Sequence, residues 1–88
     1  MSGSYIAVLR LGEDGSRRAV VSRFAEAIED LGGVQSVDLD LAGRCLLVWF
    51  DRARVTLADL VRTVEDQGGW VSGVAQTRAV TAAIAAIA

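Results

Sequence analysis

The chain of 88 residues contains no histidine, proline, lysine or asparagine, and a single cysteine, Cys45. One thiol cannot close an intramolecular disulfide, so the disulfide framework of many small secreted domains is excluded and a reducing cytosol is the expected setting. Without histidine, and with no basic partner for Cys45, acid-base and nucleophilic chemistry lacks its usual players. No segment reaches the roughly 18 to 20 uninterrupted apolar residues that a membrane-spanning helix takes, and Met1-Ser2-Gly3-Ser4 lacks the basic flank and apolar run of a signal peptide. Positive charge is not in excess: nine arginines stand against eleven acidic residues, for a net charge of -2 and a pI near 4.9. No basic field is therefore available to hold a polyanionic backbone. These absences together predict a soluble, cytoplasmic chain that makes no contact with nucleic acid and none of its own with a membrane.

What is present is apolar material, 52% of the residues, in a length that fits one domain with one modest core. Residues 5–11 are strand formers with only Arg10 breaking the apolar run, and Gly12-Glu13-Asp14-Gly15 supplies a loop. Ser16 is placed to cap a helix in which Val20, Phe24, Ile28 and Leu31 recur at helical spacing and which Gly32-Gly33 stops. Val37, Leu39 and Leu41 alternate with Asp38 and Asp40, the period of a strand with one wet face. After the Ala42-Gly43 turn, residues 44–50 form a second strand of a hairpin, with Leu46, Val48 and Phe50 on one side and Cys45, Leu47 and Trp49 on the other. Thr56 with Asp59 three residues on has the form of a capping box, with aspartate in the usual glutamate position. It opens a helix through Leu57, Leu60, Val61 and Val64 that ends at Gly68-Gly69. Residues 70–75 offer a short fourth strand. The rest is an alanine-rich tail, 76–88, with Val80, Ile84 and Ile87 at helical spacing, and residues 1–4 are expected to be disordered.

Strand, helix, strand, strand, helix, strand in so short a chain predicts an α+β fold: the ferredoxin-like βαββαβ sandwich, two helices on one face of a four-stranded antiparallel sheet. Within this plan four stretches carry a family resemblance. They are Ala25-Glu26-Ala27-Ile28-Glu29-Asp30-Leu31-Gly32-Gly33-Val34; Val37-Asp38-Leu39-Asp40-Leu41; Trp49-Phe50-Asp51-Arg52-Ala53-Arg54-Val55; and Leu60-Val61-Arg62-Thr63-Val64-Glu65-Asp66-Gln67-Gly68-Gly69-Trp70. In content and spacing they resemble the heavy-metal-associated (HMA, copper-chaperone-like) domain, and most of residues 5–75 is covered. The resemblance implies a module like those at the N-termini of heavy-metal-transporting P-type ATPases.

In that family two cysteines separated by two residues, in the loop before the first helix and at its first turn, bind copper(I), zinc or related soft ions as thiolates. Counting back from the first helix, the two positions fall here on Arg17 and Val20. Counting forward from the first strand, through a loop one residue longer, they fall on Ser16 and Ala19. Neither count meets a thiol, and Arg17 and Arg18 place positive charge where a cation would dock. The expectation is a degenerate member with no metal site and no cofactor.

Other candidate sites follow from the residues themselves. Gly15, Ser16, Arg17 and Arg18 could contact an anion with the help of free backbone N–H groups, against the plainer reading of solvated arginines offset by Glu13 and Asp14. Asp38 and Asp40 fall short of the six or so oxygen ligands that calcium takes and read as surface. Cys45 alone in an apolar strand reads as a small hydrophobe. The stronger signal is the outer sheet face, where Cys45, Leu47 and Trp49 form an apolar patch of the kind that marks a partner surface. The cover is a protein partner, a second copy, or the tail through Val80, Ile84 and Ile87 as a helix.

Four function classes are compatible with a fold of this plan. A non-catalytic HMA-like module for protein interaction or regulation, in or beside a heavy-metal transport system, ranks first. Acylphosphatases share the plan, but their mechanism needs an asparagine to position water, and this chain has none. RNA recognition through the same topology needs aromatics across the central strands, and only Trp49 points outward. A free-standing ACT-like small-ligand sensor or dimerisation module is the alternative.

Overall fold

The computed structural model describes residues 4–78. Strand β1 is Ser4–Arg10, followed by a 3-10 turn at Gly12–Ser16, helix α1 at Arg18–Glu29, strands β2 at Val34–Asp40 and β3 at Cys45–Asp51, helix α2 at Leu57–Asp66, and strand β4 at Gly73–Arg78. The sheet is antiparallel with spatial order β2-β3-β1-β4. This is the predicted ferredoxin-like plan.

Period-two alternation sorts the central strands. Leu46, Val48 and Phe50 on β3, with Ala7 and Leu9 on β1, are fully buried and meet Val21, Phe24, Ala25 and Ile28 of α1 and Leu60 and Val64 of α2 in one core. Both helices therefore bury their apolar stripes against the same sheet face. Gly69 lets the chain leave α2 beneath Phe24, since a Cβ there would lie 2.5 Å from Phe24 Cζ and 2.7 Å from Val64 Cγ1.

Three boundaries differ from the sequence reading. β1 starts at Ser4, so that residue belongs to the sheet, while residues 1–3 lie outside the described residues. β4 runs over Gly73–Arg78 rather than 70–75, which brings Gln76, Thr77 and Arg78 out of the expected tail and into the sheet. The physical cause is the path out of α2: Gly68 turns at φ 84°, and Ser72 N–H donates to the Arg10 carbonyl at 2.7 Å before regular pairing with β1 begins. The expected tail contacts Val80, Ile84 and Ile87 lie outside the described residues. Finally, Ser16 does not cap α1. It closes the 3-10 turn, its Oγ donating to the Glu13 carbonyl at 2.9 Å, and Arg17 takes the N-cap position without a side-chain bond. The Thr56–Asp59 capping box of α2 is formed as predicted, with Asp59 N–H on Thr56 Oγ1 at 3.2 Å and Thr56 N–H on Asp59 Oδ2 at 3.0 Å.

Candidate functional site

The loop that would hold metal in the family folds tightly against the β2–β3 turn. Leu11 N–H donates to the Arg44 carbonyl at 2.9 Å, and Gly15 is buried so close to Arg44 that a Cβ on it would lie 2.6 Å from both Arg44 Cβ and Arg44 O. Of the four loop candidates, Gly15 is thus enclosed, while Ser16, Arg17 and Arg18 are exposed and form no common cradle with it. A soft cation does not fit this loop. The two pairs of positions that correspond to the family's ligands offer a hydroxyl, a guanidinium and two aliphatic side chains, none of them a soft donor. Among the described residues no group of three or more His, Cys, Asp or Glu side chains is arranged to hold a metal ion.

Beside this loop stands a residue that the sequence reading did not select as a site. Trp70 is 69% exposed and borders a cleft lined by Leu11, Gly12, Glu13, Asp14 and Arg44. Its signal in the sequence is an aromatic directly after the glycine pair that ends α2, in a position too short of β4 to join the sheet.

Cys45 sits far from the loop's ligand positions in chain order, at the hairpin end of β3. Its Sγ donates to Asp40 Oδ2 at 3.7 Å, and Asp40 Oδ1 accepts from Gly43 N–H at 3.0 Å. Burial, then the negative charge of Asp40, pushes the thiol pKa up. The group is a protonated, enclosed thiol rather than an open thiolate ligand. It shares the outer sheet side with Leu47 and Trp49 but, at 8% exposure, adds little to an accessible patch.

Strand register builds that outer face row by row. Trp49 lies between Ser36 and Ile6, with Thr77 beyond Ile6; Leu47 lies between Asp38 and Val8, with Ala75 beyond; Cys45 lies between Asp40 and Arg10, with Gly73 beyond. Ile6, Val8, Leu47 and Trp49 are half-buried, so the accessible centre is apolar, and the β2 margin carries Asp38 and Asp40. Leu47 and Trp49 were legible from β3 alone. Ile6 and Val8 were not, because β1 is apolar on both sides and its outward set is fixed only by pairing.

No protein-family model matches the chain. It is 38% identical over 48 residues to an uncharacterized protein of Haemophilus influenzae, a match covering 54% of this chain and 69% of that protein. Among solved structures it is similar to the water-soluble region of the P-type ATPase CopA from Bacillus subtilis, with a TM-score of 0.73 and 20% identity. That match covers 81% of this chain and 46% of the other, so the chain spans less than half of the CopA region. It is also similar to the CopZ metallochaperone, with a TM-score of 0.69 and 26% identity over 75% of this chain and 97% of the other. Topology, register and these likenesses agree with the four sequence stretches: the chain has the fold of the heavy-metal-associated domains it resembles, and neither position of that family's cysteine pair carries a thiol here.

Proposed function

We propose that this domain is a non-catalytic adaptor of a heavy-metal transport system in the cytosol, which has given up ion carriage in its first loop and binds a partner protein through its outer sheet face. The observation that carries this reading is the face itself: Ile6, Val8, Leu47 and Trp49 form an apolar centre opposite the helices, bordered by Asp38 and Asp40 on β2. Covering such a surface contributes roughly 25 cal/mol for each Å² removed from water. The acidic margin selects a partner whose own apolar patch is edged by arginine or lysine on that side, because charge complementarity fixes orientation and rejects acidic competitors. The fold of the CopA and CopZ neighbours supports the transport setting, and the residues of the first loop support loss of the ion.

Two measurements test the two halves. Titration of the reduced protein with copper(I) and with zinc, followed through the amide signals of residues 12–20 with a Cys45→Ser control, is expected to show no stoichiometric binding at the loop. Tight binding at those amides overturns the loss of ion carriage. For the face, a photo-crosslinking amino acid at Leu47 in cells is expected to give a mass-identified adduct with a distinct protein that Trp49→Glu removes, while the same group at Glu26 on α1 does not. An adduct with a second copy only, or none at Leu47, overturns the adaptor reading.

A further inference from the structure

The two edges of the sheet are built differently. β2 is interrupted by a register irregularity between Val34 and Ser36 and carries Asp38 and Asp40. Bulges and charges are the devices by which sheet edges resist pairing with another chain. β4 has neither. It pairs with β1 in unbroken register from Tyr5 opposite Arg78 to Arg10 opposite Gly73, and its one charged residue is the last, Arg78. Residues 74–78 are all exposed, and Val74, which shares the helix side of the sheet with Leu9, is 48% exposed, with no helix among the described residues covering it. This is a regularly paired, partly apolar edge that carries no charge before Arg78.

We propose that β4 is the dimerisation edge of this domain, pairing antiparallel with β4 of a second copy about a two-fold axis at Gln76 to give a continuous eight-stranded sheet. The choice of a second copy rests on charge and closure. In a β2–β2 pair centred at Asp38 or Leu39, carboxylates of the two copies face one another, and like charges directly opposite are destabilising. A β2–β4 pair leaves a free edge of each kind on every assembly and propagates instead of closing. A β2–β2 pair centred earlier, at Ser36 or Val37, would run through the register irregularity between Val34 and Ser36; β4–β4 closes with neither opposed like charges nor an irregular register. About Gln76, side chains on the same sheet side meet: Ala75 faces Thr77 of the other copy, and Val74 faces Arg78, whose aliphatic stem can cover it. A centre at Ala75 would instead spend a pairing position on Gly73, which has no side chain to pack.

The inference does not rest on the adaptor reading, since this edge and the outer face use different atoms. In the dimer the two outer faces lie side by side on one surface and remain open to a partner.

Sedimentation of the full chain over a concentration series tests the proposal, together with hydrogen exchange of the amides of residues 74–78. A monomer–dimer equilibrium is expected, with those amides gaining protection as the dimer fills. Gln76→Glu and Gln76→Lys each set like charges across the axis and are expected to weaken the dimer about tenfold or more. Mixing the two variants restores association as a heterodimer. Gln76 is exposed, and circular dichroism identical to the parent chain shows that each variant folds. Trp49→Glu leaves the dimer intact. A chain that stays monomeric throughout, a dimer indifferent to both charges at Gln76, or a dimer lost with Trp49→Glu and not with the Gln76 variants overturns the proposal. If a Gln76 variant does not fold, absence of concentration-dependent protection at residues 74–78 in the parent chain overturns it equally.

Discussion

A methyl group at Gly15 would fall 2.6 Å from the Cβ and from the carbonyl oxygen of Arg44, and a backbone oxygen cannot swing aside as a side-chain tip can. Gly15→Ala is therefore expected to lower stability by about 1–3 kcal/mol, the usual cost of overpacking, read from the urea midpoint. Thirty residues along, the Cys45 thiol is governed by its surroundings in the other direction. Burial first, and the Asp40 carboxylate second, favour its protonated form in the folded chain over the unfolded one. A group whose folded pKa is raised adds stability at low pH that is lost as pH rises from its unfolded value, about 8.5 for a thiol, through the folded one. Stability is thus expected to fall with pH above that point, and Cys45→Ser to remove this part of the slope. Asp40→Asn keeps the oxygen that Gly43 N–H uses but deletes the charge, so the thiol of that variant is expected to react faster with a maleimide at pH 8, measured by absorbance.

The two helices begin in opposite ways. α2 has a complete capping box, and its Asp59 carboxyl is held below the ordinary carboxylate range by the Thr56 backbone N–H first and the Thr56 side chain second. A lowered carboxyl contributes stability above its unfolded pKa, near 4, and loses it as the pH drops through the folded value. Thr56→Ala is expected to cost about 1 kcal/mol by thermal or urea unfolding. α1 starts at Arg18 behind an uncapped Arg17, with no acidic residue in its first turn, so positive charge opposes the positive end of the helix dipole. Arg17→Asp supplies both cap and charge and is expected to raise stability by roughly 1 kcal/mol. The first of these starts was readable in the sequence because Thr56 and Asp59 need only each other. The second was not, because the Gly12–Ser16 turn draws Ser16 into a bond with Glu13, an outcome decided by where Arg44 lies in space. The start of β4 is hidden in the sequence for a similar reason: Trp70 and Val71 are good strand formers, yet the strand begins where β1 offers partners, after the Ser72 to Arg10 bond.

At the scale of the molecule, the element order and the shared core face follow from local periodicity, which is why the fold was legible. The candidate site was legible in part. The missing thiols and the β3 pair Leu47 and Trp49 are plain in the sequence, whereas Ile6 and Val8 join them only through register, and the burial of Cys45 emerges only in the folded chain. The strand order has one more consequence. Because β1 and β4 are antiparallel neighbours with Tyr5 opposite Arg78, the points at which the main chain enters and leaves the sheet are adjacent. To a longer polypeptide such a domain is a side branch on a short stem: it can be spliced into an exposed loop of a host without prising the host apart. A circular permutant that joins residues 78 and 4 by a short glycine-serine linker and opens the chain at the exposed Gly68 is accordingly expected to keep the parent's amide spectrum and unfold in a single transition.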